Sequence, residues 1–111
     1  MKRIEYNKLI RDRIPEIIES TGKAFEVTVM STQEFQDALK VKLLEEASEA
    51  KEASSRKDLI KELSDIYEVI DALCVALRID KSDVLELQKR RKEKRGGFTE
   101  QLKLLWVDDP D

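Results

Sequence analysis

Residues 31–53 read STQEFQDALKVKLLEEASEAKEA, and the spacing of their apolar positions decides the fold class. Ser31 followed by Glu34 is the signature of a helix N-terminus, the hydroxyl accepting from a backbone amide of the first turn. Beyond it Phe35, Leu39, Leu43, Ala50 and Ala53 recur at helical intervals, so that at about 100° per residue they share one face. One long helix reaching about Ala53 is expected. Charged and hydrophobic residues each make up 41% of the 111 residues, with only 3 Gly and 2 Pro. That balance favours long amphipathic helices over strands, and an all-α helical bundle in a single domain, 1–111.

Working outward, Ser54 to Asp58 reads as a turn, with Ser55 as N-cap answered by Asp58. The second long helix then carries Leu59, Leu63, Ile66, Ile70, Leu73 and Leu77 on one face. A second stripe, Asp65, Val69, Ala72 and Ala76, follows at spacings of four, three and four, which predicts burial on two sides. Ile79 to Asp83 breaks the pattern, and Asp80 or Ser82 caps a third helix through Val84, Leu85 and Leu87 that stops at Gly96-Gly97. Upstream, Pro15 suits the first turn of a helix running to about Ser20, ended by Thr21-Gly22-Lys23. The β-branched alternation of residues 24–30 is a strand signal, and 103–107 is its candidate partner in a minor two-stranded β element. Residues 108–111 read as a tail.

The single Cys74 and the absence of His remove disulfide frameworks, His-based zinc sites and every nucleophile–His system. No apolar run has the length of a membrane span and Met1-Lys2-Arg3-Ile4 leads into mixed polar sequence, so a cytoplasmic protein is expected. The formal net charge of -3 conceals basic ends, Lys2 to Arg13 and Lys89 to Arg95, around an acidic middle.

That middle holds Glu45, Glu46 and Glu49 on the first long helix and Glu62 and Asp65 on the second. Acidic residues on helices are ordinarily solvated. Glu46, however, falls in the centre of the Phe35–Ala53 stripe and Glu49 at its border, while Glu62 and Asp65 border the stripes of the second helix. An ionised carboxylate facing a packing surface needs a cationic partner. Lys42, Lys51 and Lys61 read as exposed helix partners, so a divalent cation is the more economical counterion. Oxygen ligands without His or thiolate point to Mg²⁺, with Mn²⁺ as a substitute. Glu45 is offset and reads as an auxiliary, and Glu68 and Asp71 read as solvated face. Cys74, Tyr67, Phe98 and Trp106 are assigned to packing.

Glu-Glu-x-x-Glu followed by Glu-x-x-Asp on consecutive helices resembles the all-α nucleoside triphosphate pyrophosphohydrolase superfamily, the MazG-like enzymes. The stretches Tyr6-Asn7-Lys8-Leu9-Ile10-Arg11-Asp12-Arg13-Ile14-Pro15 and Lys94-Arg95-Gly96-Gly97-Phe98 look like its small-protein, phosphoribosyl-ATP pyrophosphohydrolase-like branch. The resemblance implies Glu46, Glu49, Glu62 and Asp65 as Mg²⁺ ligands and cleavage between the α and β phosphates of a nucleotide triphosphate. It also implies Glu49 or Glu45 as the residue that activates water. Lys8, Arg11, Arg13, Lys94 and Arg95 are then phosphate-clamp candidates, whereas Lys89 to Lys92 read as a solvated helix end. House-cleaning of non-canonical nucleotides is the implied role, in a homodimer or homotetramer. Alternatives are a phosphoribosyl-ATP pyrophosphohydrolase and a non-catalytic helical interaction module. Nucleic-acid binding is disfavoured by the acidic charge and the lack of aromatic interleaving.

Overall fold

The computed structural model describes residues 2–109, and among them there are four helices and no strand. The chain divides into two compact units, Met1–Ile79 and Asp80–Asp111. In the first, α1 spans Ile14–Ser20, α2 Thr32–Glu52 and α3 Arg56–Ala76; in the second, α4 spans Lys81–Arg95.

Local chemistry sets the helix ends where the sequence places them. Ser31 Oγ accepts from the Glu34 amide at 3.1 Å and Ser55 Oγ from the Asp58 amide at 3.0 Å, so both long helices begin on side-chain caps. Asp80 caps α4 through the Ser82 amide at 3.0 Å, and α4 stops where Gly96 takes φ 82°. Helix α3 ends in a Schellman motif: the Ile79 amide reaches Cys74 O at 2.8 Å and the Arg78 amide Val75 O at 3.3 Å. The motif puts Arg78, a non-glycine residue, at φ 55°.

Helices α2 and α3, joined by three residues, pack on each other as an antiparallel hairpin. Gln36 in the second turn of α2 donates to the carbonyl of Ala76, the last residue of α3, at 3.2 Å, which pins the open end of the hairpin. The faces meet through Leu39 and Glu46 of α2 and Val69 of α3, all buried, with Phe35, Leu43, Ala50, Ala72 and Ala76 half-buried. The narrow stripe is buried at Val69 and half-buried at Ala72 and Ala76. The larger stripe of α3 is only partly covered. Cys74 is buried and Ile66, Ile70, Leu73 and Leu77 half-buried, but Leu59, Leu63 and, beside them, Ile60 and Tyr67 are exposed.

The expected β element does not form. Residues 24–30 and 103–107 have no ladder partner, and Val29 is 97% exposed. A β-branched alternation specifies a strand only where one of its faces has an apolar surface to pack on, and residues 24–29 and 103–107 are exposed throughout. The packing assigned to Tyr67, Phe98 and Trp106 also fails, at 65%, 97% and 74% exposed. Pro110 and Asp111, the end of the expected tail, lie outside the described residues. Among the described residues no helix is long and apolar enough to cross a membrane.

Candidate functional site

Near the turn that joins α2 to α3, the last turns of one helix face the first turns of the other, and the carboxylates gather there. Glu46, Glu49 and Glu62 each bring an oxygen to a group lying within 4.8 Å of one another. Their depths are graded: Glu46 is buried, Glu62 half-buried and Glu49 exposed. The i, i+3 step from Glu46 to Glu49 turns both toward α3, and Glu62 answers from the opposite helix. Asp65 lies one turn further along α3, close enough that its charge acts on Glu46.

Glu46 is the anomaly. It is 6% exposed and is the buried charged residue of the described chain. Lys42 Nζ stands 3.7 Å from Oε1, whereas Oε2 is buried with no hydrogen-bond partner. Burial, then the charge of Glu49, a hydrogen bond shared with its carboxylate and the charge of Asp65, push its pKa up to about 7, and Lys42 only partly opposes them. Glu62 repeats the pattern: Lys61 Nζ lies 3.3 Å from Oε1 and Oε2 is buried without a partner. Two acceptors inside one carboxylate group therefore lack donors, and a proton or a cation is what can satisfy them.

The outer oxygens are already engaged. Lys8 Nζ lies 3.1 Å from Glu45 Oε1, and this hydrogen bond lowers the Glu45 pKa and raises that of Lys8. Arg11 Nη2 donates to Asp65 Oδ1 at 2.8 Å, and Lys61 Nζ lies 3.4 Å from Oδ2. Arg13 pairs with Glu16 within its own helix turn. Of the clamp candidates, the N-terminal segment thus brings Lys8 and Arg11 onto the carboxylates and leaves Arg13 apart from them. Lys94 and Arg95 belong to the second unit, exposed in the last turn of α4.

Two readings of the sequence change. Lys42 is half-buried and lies 3.6 Å from Glu45 and 3.7 Å from Glu46, so it is no solvent-side partner. Its i, i+3 and i, i+4 offsets to the two glutamates carried that signal. Asp71 is half-buried instead of solvated, whereas Glu68 is exposed as expected.

A pocket of about 230 Å³ opens beside the carboxylates, between the Asn7–Leu9 segment and the flank of α2, and Glu45, Lys42 and Lys8 belong to its wall. Asn7 takes φ 47°, a backbone conformation that asparagine tolerates better than most residues, where the segment turns over α2.

No family model and no solved structure matches the chain. A protein of Mycolicibacterium smegmatis (strain ATCC 700084 / mc(2)155), itself described as uncharacterized, is 41% identical over 49 residues, 44% of this chain and 50% of its own length. The chain thus spans about half the length of the curated relative it matches.

Proposed function

We propose that the chain is a Mg²⁺-dependent nucleoside triphosphate pyrophosphohydrolase, cleaving between the α and β phosphates to release a nucleoside monophosphate and pyrophosphate. The observation that carries the reading is the partnerless, buried Oε2 of Glu46 within a group made only of carboxylates. A buried carboxylate held beside like charges is costly, and a hard divalent cation is the partner that oxygen donors without His or thiolate suit best. Glu46, Glu49, Glu62 and Asp65 would hold it. Bound there, Mg²⁺ supplies charge neutralisation for phosphate oxygens and acidity for a water.

The side chains divide the remaining work. Glu45 is engaged by Lys8 and Lys42, while Glu49 is exposed and makes no ion pair among the described residues. That difference supports Glu49 as the group that orients the attacking water and takes its proton. Lys8 and Arg11 lie on the exposed side of the carboxylates, which supports them as the polyphosphate clamp. The nucleotide range extends to non-canonical triphosphates, and phosphoribosyl-ATP is the rival substrate.

The deciding assay incubates the protein and Mg²⁺ with canonical, deoxy and damaged nucleoside triphosphates and with phosphoribosyl-ATP, reading pyrophosphate against orthophosphate. Pyrophosphate release lost in Glu49→Gln is expected. Absence of release from every substrate, or a Glu49→Gln variant that behaves like wild type, sinks the reading.

The chain is proposed to work as a homodimer or homotetramer. Leu59, Ile60, Leu63 and Tyr67 of α3 and Leu44 of α2 are all exposed, and a hairpin whose buried apolar side chains are Leu39, Val69 and Cys74 is a thin core for a cytoplasmic enzyme. The same apolar faces favour the second reading, a non-catalytic interaction module, which predicts no heat and no stabilisation on Mg²⁺ titration.

A further inference from the structure

The pocket beside Glu45 has a composition that the carboxylate group does not explain. Its floor and walls include Leu9, Met30, Ala38 and Val41, apolar side chains from three separate segments. A phosphate chain has no use for such a surface. At about 230 Å³ it is smaller than the roughly 300 Å³ at which sites for drug-sized ligands begin, and fits a single heterocycle with part of a sugar. Lys8, Lys42 and Glu45 belong both to its wall and to the ion pairs beside the carboxylates, so one ligand can put an apolar ring in the pocket and its anionic end toward Glu46 and Glu62. An apolar flat group joined to a polyphosphate is the chemistry of a nucleotide.

The polar groups of the wall narrow the ring. Lys8 and Lys42 pair with Glu45 and Glu46 at the carboxylate end of the wall. Glu34, in the first turn of α2, belongs to the wall and enters no ion pair among the described residues, and Asn7 belongs to the wall opposite. A carboxylate accepts from an exocyclic amino group and repels a ring carbonyl, and an asparagine amide pairs with the amino edge of adenine. We infer that this pocket is the nucleoside subsite, that it takes bases bearing an exocyclic amino group, and that Glu34 determines the preference. The inference rests on the nucleotide reading proposed above and adds where the base lies and which class of base is chosen.

The test compares ring pairs that differ in the amino-for-carbonyl exchange, CMP with UMP and AMP with IMP, by equilibrium binding in Mg²⁺, a measurement that needs no turnover. Wild type is expected to favour the amino member of each pair by about 10-fold or more. Glu34→Gln, whose amide can donate as well as accept, is expected to bring both ratios within about 3-fold. Val41→Trp fills the pocket from an exposed position of α2 and is expected to abolish nucleotide discrimination while Mg²⁺ affinity and inorganic tripolyphosphate binding stay at wild-type values. Equal binding within each pair, a Glu34→Gln ratio unchanged from wild type, or discrimination that survives Val41→Trp overturns the subsite. Tripolyphosphate and Mg²⁺ binding that persist in that case leave the hydrolase reading standing. Loss of Mg²⁺ binding in the wild-type protein overturns both.

Discussion

Arg11 Nη2 lies 2.8 Å from Asp65 Oδ1, a pairing that joins the N-terminal segment to α3 across 54 residues of sequence. With Lys8 on Glu45 it makes that segment a strip of counterions laid along one edge of the acidic group. Both cations are substantially exposed, so neither pair adds much stability; exposed pairs are worth about 0–1 kcal/mol. Their consequence is electrostatic. In the proposed reading the carboxylates that would hold a divalent ion also hold two side chains suited to a polyphosphate, and the two uses would compete until both ligands are present.

Arg11→Ala is accordingly expected to move two affinities in opposite directions. Removing one positive charge beside Asp65 leaves the group more acidic, and Mg²⁺ titrated alone is expected to bind about 3- to 10-fold more tightly by calorimetry at low ionic strength. Tripolyphosphate binding in saturating Mg²⁺ is expected to weaken by a similar factor. Weakening of both affinities would mean that Arg11 serves only to hold the segment in place.

The α3 terminus offers a prediction independent of chemistry. Arg78 occupies φ 55° in the Schellman motif, a region in which a Cβ is unfavourable, and glycine is the residue that usually fills it. Arg78→Gly is expected to raise the stability of the first unit by about 0.5–1 kcal/mol in denaturant titration, the relief of strain exceeding the entropy lost by glycine. A decrease would show that the arginine side chain contributes more than its backbone costs.

Exposed apolar side chains give a third. Leu63 and Tyr67 lie one helical turn apart on the open face of α3, 45% and 65% exposed. If that face is covered by a second copy, wild type sediments as a dimer or larger, and Leu63→Glu with Tyr67→Lys shifts it toward monomer while the helical content measured by circular dichroism persists. A wild-type monomer at micromolar concentration refutes the assembly.

Most of the helical framework was legible because it is written in local chemistry. Ser31, Ser55 and Gly96 mark ends that depend on their own neighbours within one turn, and the caps form where their residues stand. The anomaly of Glu46 was legible for a related reason: its place on an apolar stripe follows from the period of one helix. What was not legible depends on partners distant in sequence. Residues 24–30 have strand composition, but a strand needs a neighbour that no local rule supplies. The reach of Lys8 and Arg11 onto Glu45 and Asp65 had no signal in helical spacing at all.

Glu46 couples stability to pH and, in the proposed reading, Mg²⁺ binding as well. Its carboxyl has a folded pKa of about 7 against 4.5 ordinarily, so the folded state holds the proton more firmly than the unfolded chain does. A raised folded pKa contributes stability that is fully present below about pH 4.5 and is lost as pH rises through about 7. At about 1.4 kcal/mol per pH unit, the loss across that window is roughly 3 kcal/mol from this group. Glu46→Gln, which keeps the shape and removes the charge, is expected to flatten this part of the profile and to be the more stable protein by roughly 2–3 kcal/mol at pH 8. The same variant is expected to lose Mg²⁺ binding, which separates its stability from its function. Metal binding needs the ionised carboxylate, so Mg²⁺ added to wild type at pH 6.5 is expected to displace most of one proton per site, and at pH 8.5 almost none. Calorimetry in two buffers of different ionisation enthalpy reads that difference directly. Equal proton release at the two pH values would show that Glu46 is not the carboxylate the cation meets.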